Sequence, residues 1–483
     1  MGTSLNYEQE LNSHIERERA AVTLSSKVGE LLYDKGIELV LFRNHLVDIT
    51  ISEILHLHEY SKSVVNKPID IFTTSTLAEE LMKIDLTPSK IDLGKLAYEW
   101  LYEQDNFSSK ADFLNDKLKS FKVESNEKIE PRDVVLYGFG RIGRLAAREL
   151  IKQAGRGQQL RLRAIVTRSD DDASLIKRAA LLKNDSVHGA FKGTVKVDTD
   201  NKAIIINGQI VKMICAKNPE DIDYTSYGIN NALIIDNTGA FTNKEALSRH
   251  LKAKGAERVL LTAPGKEIPN IVYGINQDEL DLENERIFSA ASCTTNAIAP
   301  VLKVIEDNYG VVKGHIETVH AYTNDQNLLD NMHKKPRRGR SAAINMVITS
   351  TGAGNAVTKV IPSLADKLTA NAVRVPTPNG SLAILNLEVG KDTSVDDINE
   401  TLKKAALDGP LVNQIYYALD PELVSNDIIG NVCCSVFDSN ATIVSKDGKN
   451  VVIYAWYDNE FGYTKQVIRL AKYITKVRRA IYY

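Results

Sequence analysis

The apolar positions of this chain fall into three successive patterns. From 20 to 46, in AAVTLSSKVGELLYDKGIELVLFRNHL, they recur at helical spacing, and LAEELMKIDL and LGKLAYEWLYEQ continue the trend. A mainly helical N-terminal extension over 1–130 follows. From 134 the pattern changes to short continuous apolar runs, VVLYG, LRAIV, AIIING, ALIID and RVLLT, alternating with helix-like RLAARELIKQ and SLIKRAALLK. That alternation predicts a parallel α/β sheet. Beyond about 311, HIETVHAYT, SLAILNLEV and VVIYAWYD read as longer strands among helices such as SVDDINETLKKAAL, which predicts an α+β domain. The polar stretch VESNEKIEPRD (123–133), with its Pro131, marks a linker between the first two regions.

Several regions suit a chain of 483 residues, which exceeds what one core ordinarily serves. With 60 basic and 62 acidic residues the net charge is -2, so no global field draws the chain to nucleic acid or to an anionic membrane. No segment approaches the roughly 18 apolar residues of a membrane span, and a cytoplasmic location is the expectation. Cys215, Cys293, Cys433 and Cys434 fit neither a disulfide framework nor a zinc spacing, so reduced thiols are expected. His56 and His58 are too isolated to be a metal site, and no metal is expected.

The first motif with chemistry lies at the start of the second region. Strand-like Val134–Tyr137 runs into Gly138-Phe139-Gly140-Arg141-Ile142-Gly143, and a helix-like segment follows. Gly138 permits a tight turn, Gly140 a close approach to pyrophosphate, and Gly143 tight helix packing, while the helix N-terminus attracts negative charge. This strand, loop and helix predict a Rossmann dinucleotide-binding domain. The next strand ends in Thr167-Arg168-Ser169-Asp170-Asp171-Asp172. Asp170 is the expected ribose ligand, whereas Arg168 suits a 2′-phosphate, so NAD is favoured and NADP stays open.

From about 132 to its end the chain resembles the phosphorylating glyceraldehyde-3-phosphate dehydrogenases. The residues carrying the resemblance are GFGRIGR (138–144), DSVHGAFKG (185–193), DNTGAF (236–241), ASCTTN (291–296), ETVHAYT (317–323), STGAGNAV (350–357), RVPTPN (374–379) and WYDNEFGY (456–463), in the family's order. The resemblance implies an NAD(P)-dependent enzyme, assembled as a homotetramer, with the Rossmann domain spanning 131–292 and completed by a C-terminal helix over about 461–483, and a catalytic α+β domain over 293–460. Its substrates are glyceraldehyde 3-phosphate and inorganic phosphate, in glycolysis or gluconeogenesis. Cys293 matches the nucleophile and His320 the catalytic histidine. Oxidising an aldehyde to an acyl phosphate is easiest when a thiolate adds first, because the adduct loses hydride to become a thioester. A neighbouring imidazole, and the N-terminus of a helix beginning near Cys293, are expected to lower the thiol pKa.

By the same resemblance Thr323 and Arg374 serve the substrate phosphate, while Ser292, Thr294, Thr351, Gly352 and Arg338 serve the attacking phosphate. Lys217, Thr262, Asn459 and Tyr463 match further coenzyme contacts, beside Arg141 and Ile142 of the loop. Cys215, Cys433 and Cys434 are read as packing residues. Two departures stand out: Ala297 replaces a frequent second cysteine, and Asn331-Met332 replaces a Leu-Pro common in NAD-specific members. The extension has no counterpart in the ordinary family member; it is either a passive appendage or a docking module for a protein partner. The nearest rival is an erythrose-4-phosphate dehydrogenase, which the intact Ser350-Thr351-Gly352 disfavours. A regulatory protein that retains the fold is the rival from another class.

Overall fold

The structure is a computed structural model and describes residues 6–122 and 129–483. Most of the expected linker, residues 123–128, therefore lies outside the described residues. The chain divides into two compact units. One holds the residues up to Pro131 together with Ala154–Gln159 and Val477–Tyr483; the other holds Arg132–Gln153 and Leu160–Lys476.

The first unit is mainly helical, led by the long helix Tyr7–Glu30, which Asn6 caps by accepting from the Glu8 and Gln9 backbone N–H groups. It also contains a four-stranded sheet that the sequence does not announce, ordered Asn44–His45, Glu38–Leu41, Ser89–Asp92, Ala480–Tyr482. Strands of two to four residues are too short for a period-two signature. The hairpin between the first two turns at Phe42 and Arg43, which hold φ of 44° and 70°. Left-handed backbone costs a side-chain-bearing residue roughly 1–2 kcal/mol. Fully buried Asp92 offsets that cost by accepting from the N–H of Phe42 at 2.8 Å and of Arg43 at 3.1 Å.

The fourth strand comes from the far end of the chain. The helix expected over about 461–483 runs Phe461–Ile474 and stops, and Ala480–Tyr482 then pairs in parallel with Ser89–Asp92. Arg479, just before that strand, is buried with a guanidinium nitrogen 3.5 Å from Glu38. Cutting the chain at 131 would therefore strip the partners of its last strand.

The second unit contains two eight-stranded sheets. The first is ordered Ile287–Ser289, Ala256–Leu261, Ala232–Asp236, Arg132–Tyr137, Leu160–Thr167, Gln209–Cys215, Ala203–Ile206, Val195–Asp198. Its first six strands run parallel, as the alternating pattern predicts, whereas Ala203–Ile206 joins antiparallel through the two-residue turn Asn207-Gly208. Arg132–Tyr137 lies where the strand order reverses, the crevice at which open α/β sheets bind ligands. The second sheet carries Val311–Ala321 between Leu368–Val375, parallel, and Ser381–Val389, antiparallel. This is the α/β and α+β organisation expected from the sequence. Among the described residues no helix is long and apolar enough to cross a membrane.

Candidate active site

Cys293 opens the helix Cys293–Tyr309, and Ser292 is its N-cap, its hydroxyl accepting from Thr295 N–H at 3.0 Å. The approach to this helix is a strained turn: Ala291 has φ of 54°, outside the usual range for a residue with a side chain. Three bonds hold it. Tyr463 Oη donates to Ala291 O at 2.9 Å, Asn296 Nδ2 donates to Ala290 O at 2.8 Å and to Ser292 O at 2.9 Å. Asn296 was not picked out by sequence reasoning, though it ends the ASCTTN block that carried the resemblance. The turn leaves Cys293 half-buried with its sulfur 3.7 Å from His320 Nε2.

His320 comes from the strand Val311–Ala321, where its register partner across the parallel ladder is Arg374. Neighbours in register share a face, which is why the two side chains meet. His320 Nδ1 lies 2.7 Å from Ala321 O and 3.2 Å from Arg374 Nη1. The shorter contact has Nδ1–H donating to the carbonyl, which leaves the Nε2 lone pair facing the sulfur. Arg374 Nη1 also donates to Ala321 O at 2.9 Å and to Thr323 Oγ1 at 3.0 Å, while its Nε is buried with no partner among the described residues. Such an orphan donor beside a basic side chain suits an oxyanion.

The electrostatics depart from the sequence expectation. Burial and then the Arg374 charge pull the His320 imidazole down to about 4, so it is neutral at neutral pH. Burial likewise pushes the Cys293 thiol up, outweighing the opposing pull of Thr294, Arg374 and the backbone N–H groups at the helix start. The resting pair is thus a neutral thiol beside a neutral base. Enclosure, which a linear reading cannot weigh, reverses the sign expected from the helix terminus alone.

Around this pair the expected anion ligands separate into groups. Thr323 donates to Asp325, and Arg338 pairs with the same carboxylate while its Nε reaches Thr349 Oγ1 at 3.1 Å. Asp325 therefore links the expected ligands of the two phosphates; it was missed because one carboxylate in a polar loop carries no distinguishing pattern. Thr294 is buried with its hydroxyl 3.1 Å from Tyr457 Oη, and the Ser292 hydroxyl is engaged in capping. Thr351 Oγ1 accepts from Ala353 N–H at the start of the helix Ala353–Val360, and no hydrogen bond joins it or Gly352 to Cys293 among the described residues.

The glycine loop satisfies the demands of a dinucleotide. Gly138 has φ of 95°, and a Cβ there would meet Thr238 Cγ2 at 2.8 Å; a Cβ on Gly143 would meet Gly138 O at 2.6 Å. At Gly140 a Cβ would meet nothing within 4 Å, which is the open approach a pyrophosphate needs. Arg141 and Ile142 begin the helix Arg141–Gln153. The Arg141 side chain is committed to Asp185 at 3.2 Å and to Glu460, so what it offers an anion is its backbone N–H. Beside the loop lies a cavity of about 490 Å³ lined by Gly138, Thr167, Arg168, Arg178, Lys217 and Phe241 among others.

Asp170, the expected ribose ligand, is not among the cavity's lining residues. Thr262 bonds Asp236 O at 3.1 Å, and Asn459 Oδ1 accepts from Ser381 Oγ at 2.8 Å, which fixes the amide close to the second sheet. Tyr463 is buried, and that burial pushes its hydroxyl well up. Of the other thiols, Cys433 and Cys434 are buried as expected of packing residues, but Cys215, the last residue of its strand, is exposed. His58 is a satisfied core residue, bonded to Ile54 O and Thr74 Oγ1, and no metal-holding group of side chains occurs among the described residues.

Residues 132–244 match the model for the glyceraldehyde 3-phosphate dehydrogenase NAD binding domain, and residues 292–459 that for the C-terminal domain of the same family. A glyceraldehyde-3-phosphate dehydrogenase-like protein of Pseudomonas aeruginosa is 46% identical over 447 residues, covering 92% of this chain and 96% of its own. That match is longer than the chain from Arg132 onward, so it runs into the extension. A glyceraldehyde-3-phosphate dehydrogenase of Streptomyces coelicolor is 42% identical over 342 residues, 71% of this chain and 98% of its own. The glyceraldehyde-3-phosphate dehydrogenase 1 of Bacillus subtilis is 40% identical over 344 residues, 71% of this chain and 98% of its own.

Proposed function

Because this chain belongs to the glyceraldehyde-3-phosphate dehydrogenase family, we propose that it oxidises glyceraldehyde 3-phosphate, with inorganic phosphate, to 1,3-bisphosphoglycerate. The observation that carries this reading is the 3.7 Å approach of Cys293 Sγ to the unprotonated nitrogen of His320, with Arg374 alongside. Arg374 and Thr323 bind the substrate phosphate and bring the aldehyde carbon to the sulfur. His320 Nε2 takes the thiol proton as the C–S bond forms and passes it to the carbonyl oxygen as the carbonyl electrons move there, which gives a neutral thiohemiacetal on Cys293 and leaves His320 unprotonated for the next step. Backbone N–H groups at the start of the Cys293 helix stabilise that oxygen.

A bound nicotinamide dinucleotide supplies the hydride acceptor. The glycine loop holds its pyrophosphate, and Asn459 and Tyr463 orient the ring end. As the carbon becomes a thioester, His320 accepts the hydroxyl proton. Inorganic phosphate, held by Arg338, Thr351 and Gly352, then attacks the carbonyl, and the C–S bond breaks to return the Cys293 thiolate. A charged phosphate on Arg374 also neutralises the cation that depresses His320, so substrate binding strengthens the base that must act on it.

A steady-state assay with glyceraldehyde 3-phosphate, with and without inorganic phosphate and with each coenzyme, tests the reading. Turnover should require phosphate, and hydroxylamine should trap an acyl phosphate. Free acid formed without phosphate, with erythrose 4-phosphate preferred, would establish the rival instead.

Assembly into a homotetramer is part of the proposal. Leu329, Met332, Ile344 and Met346 are 75%, 93%, 80% and 77% exposed, a concentration of apolar surface that calls for a cover. A further copy of this chain is the cover proposed. Sedimentation velocity should find the protein larger than a single chain, and Leu329→Asp with Met346→Asp should move it to smaller species. A monomeric wild-type protein would refute this assembly.

A further inference from the structure

The cavity beside the glycine loop says more about the coenzyme than the motif does. Two strand ends and a helix converge on it. Thr167 pairs with Cys215 at the carboxyl ends of adjacent parallel strands, and Ala216 N–H bonds Thr167 O at 3.0 Å, so Arg168 and Lys217 leave the sheet side by side. Arg178 enters from the helix Asp172–Lys183. All three line the cavity, and none of their side chains has a hydrogen bond or ion pair among the described residues.

None of the residues lining the cavity is acidic. Asp171 and Asp172 are spent elsewhere. Asp171 caps its helix by accepting from Ser174 N–H at 2.9 Å, Asp172 pairs with Lys202 at 2.9 Å, and Asp170 lies off the cavity wall. Asp236, at the neighbouring strand end, is fully buried and gives its oxygens to Thr238 and to His250. A ribose with free 2′- and 3′-hydroxyls calls for a carboxylate acceptor, and the cavity presents donors and positive charge. Three unpaired cations around one space repel each other until an anion joins them.

We propose that Arg168, Arg178 and Lys217 form a site for the 2′-phosphate of the coenzyme's adenosine, so that this chain prefers NADP to NAD. The inference rests on the reading of this crevice as the coenzyme site. It reverses the weight that Asp170 carries in the sequence. Arg168 is the first residue after its strand and supplies paired donors that match a phosphate; Arg178 and Lys217 add charge on either side.

Isothermal titration calorimetry of the full chain with NADP and with NAD tests it without requiring turnover. The 2′-phosphorylated form should bind about tenfold more tightly or better, the worth of one charge-assisted contact. Arg168→Gln and Arg178→Gln should each reduce the ratio of the two dissociation constants by roughly tenfold. Arg168 is exposed, so its replacement leaves the core intact, and the thermal midpoint of each variant verifies the fold. Adenosine 2′-monophosphate should outcompete adenosine 5′-monophosphate for the same cavity. Tighter binding of NAD by the wild-type protein, or a ratio unmoved in both variants, overturns the inference while leaving the coenzyme site standing. Failure of both coenzymes to bind overturns the coenzyme reading and this inference together.

Discussion

Cys293→Ser is expected to abolish aldehyde oxidation, lowering kcat by at least about 10⁴-fold, the scale on which a covalent nucleophile's loss is felt. A serine hydroxyl beside a base as weak as His320 stays protonated, and an oxygen ester would be a poorer acyl carrier than the thioester. Coenzyme affinity, measured by calorimetry, should stay near the wild-type value, because the sulfur lies at the reacting centre and not in the glycine loop. Stability should hardly change, since the substitution is nearly isosteric and the Ser292 cap and Asn296 bonds do not involve the side chain. A Cys293→Ser protein with substantial phosphate-dependent turnover would refute the thioester route.

His320→Asn is expected to lower kcat by about 10²- to 10⁴-fold, the usual worth of a positioned general base. Its effect on thiol reactivity separates two states of the free protein. If the resting pair were thiolate and imidazolium, removing the imidazole would raise the thiol pKa sharply. With His320 held down at about 4 by burial and Arg374, the imidazole is neutral from mildly acidic pH upward and offers the thiolate no charge. Alkylation of Cys293 by iodoacetamide in the ligand-free protein should therefore keep rising with pH through the ordinary thiol range and beyond, because burial raises the thiol. The same profile is expected in His320→Asn. A plateau near neutrality in the wild type, lost in the variant, would contradict the neutral pair.

Much of the architecture is legible in the sequence where a rule is local. The strand, glycine turn and helix at 134–153 occupy so few residues that spacing alone identifies them, and the structure gives each glycine its reason. The extension is legible only as helical, since its sheet is built from strands of at most four residues, one of them Ala480–Tyr482. The proposed catalytic pair is legible through resemblance and not through pattern, because a cysteine and a histidine 27 positions apart have no periodic relation. Asp325, a single carboxylate in a polar loop, had no such aid, and Asn296 was passed over although its block carried the resemblance. Asp170 was chosen because carboxylates after a second strand usually bind ribose, whereas its neighbours Asp171 and Asp172 serve the N-terminus of the helix that follows.

Sequence by itself determined the family, the order of the domains and the residue types available for chemistry, because those reside in short blocks and in the period of apolar positions. Tertiary structure alone decided which side chains meet and in what state of charge. Register across a parallel ladder joins His320 to Arg374, and converging strand ends gather Arg168 and Lys217 at one cavity. An apolar period tells that a face is buried but not against what, and a pKa answers to every group that encloses it, from whatever part of the chain it comes.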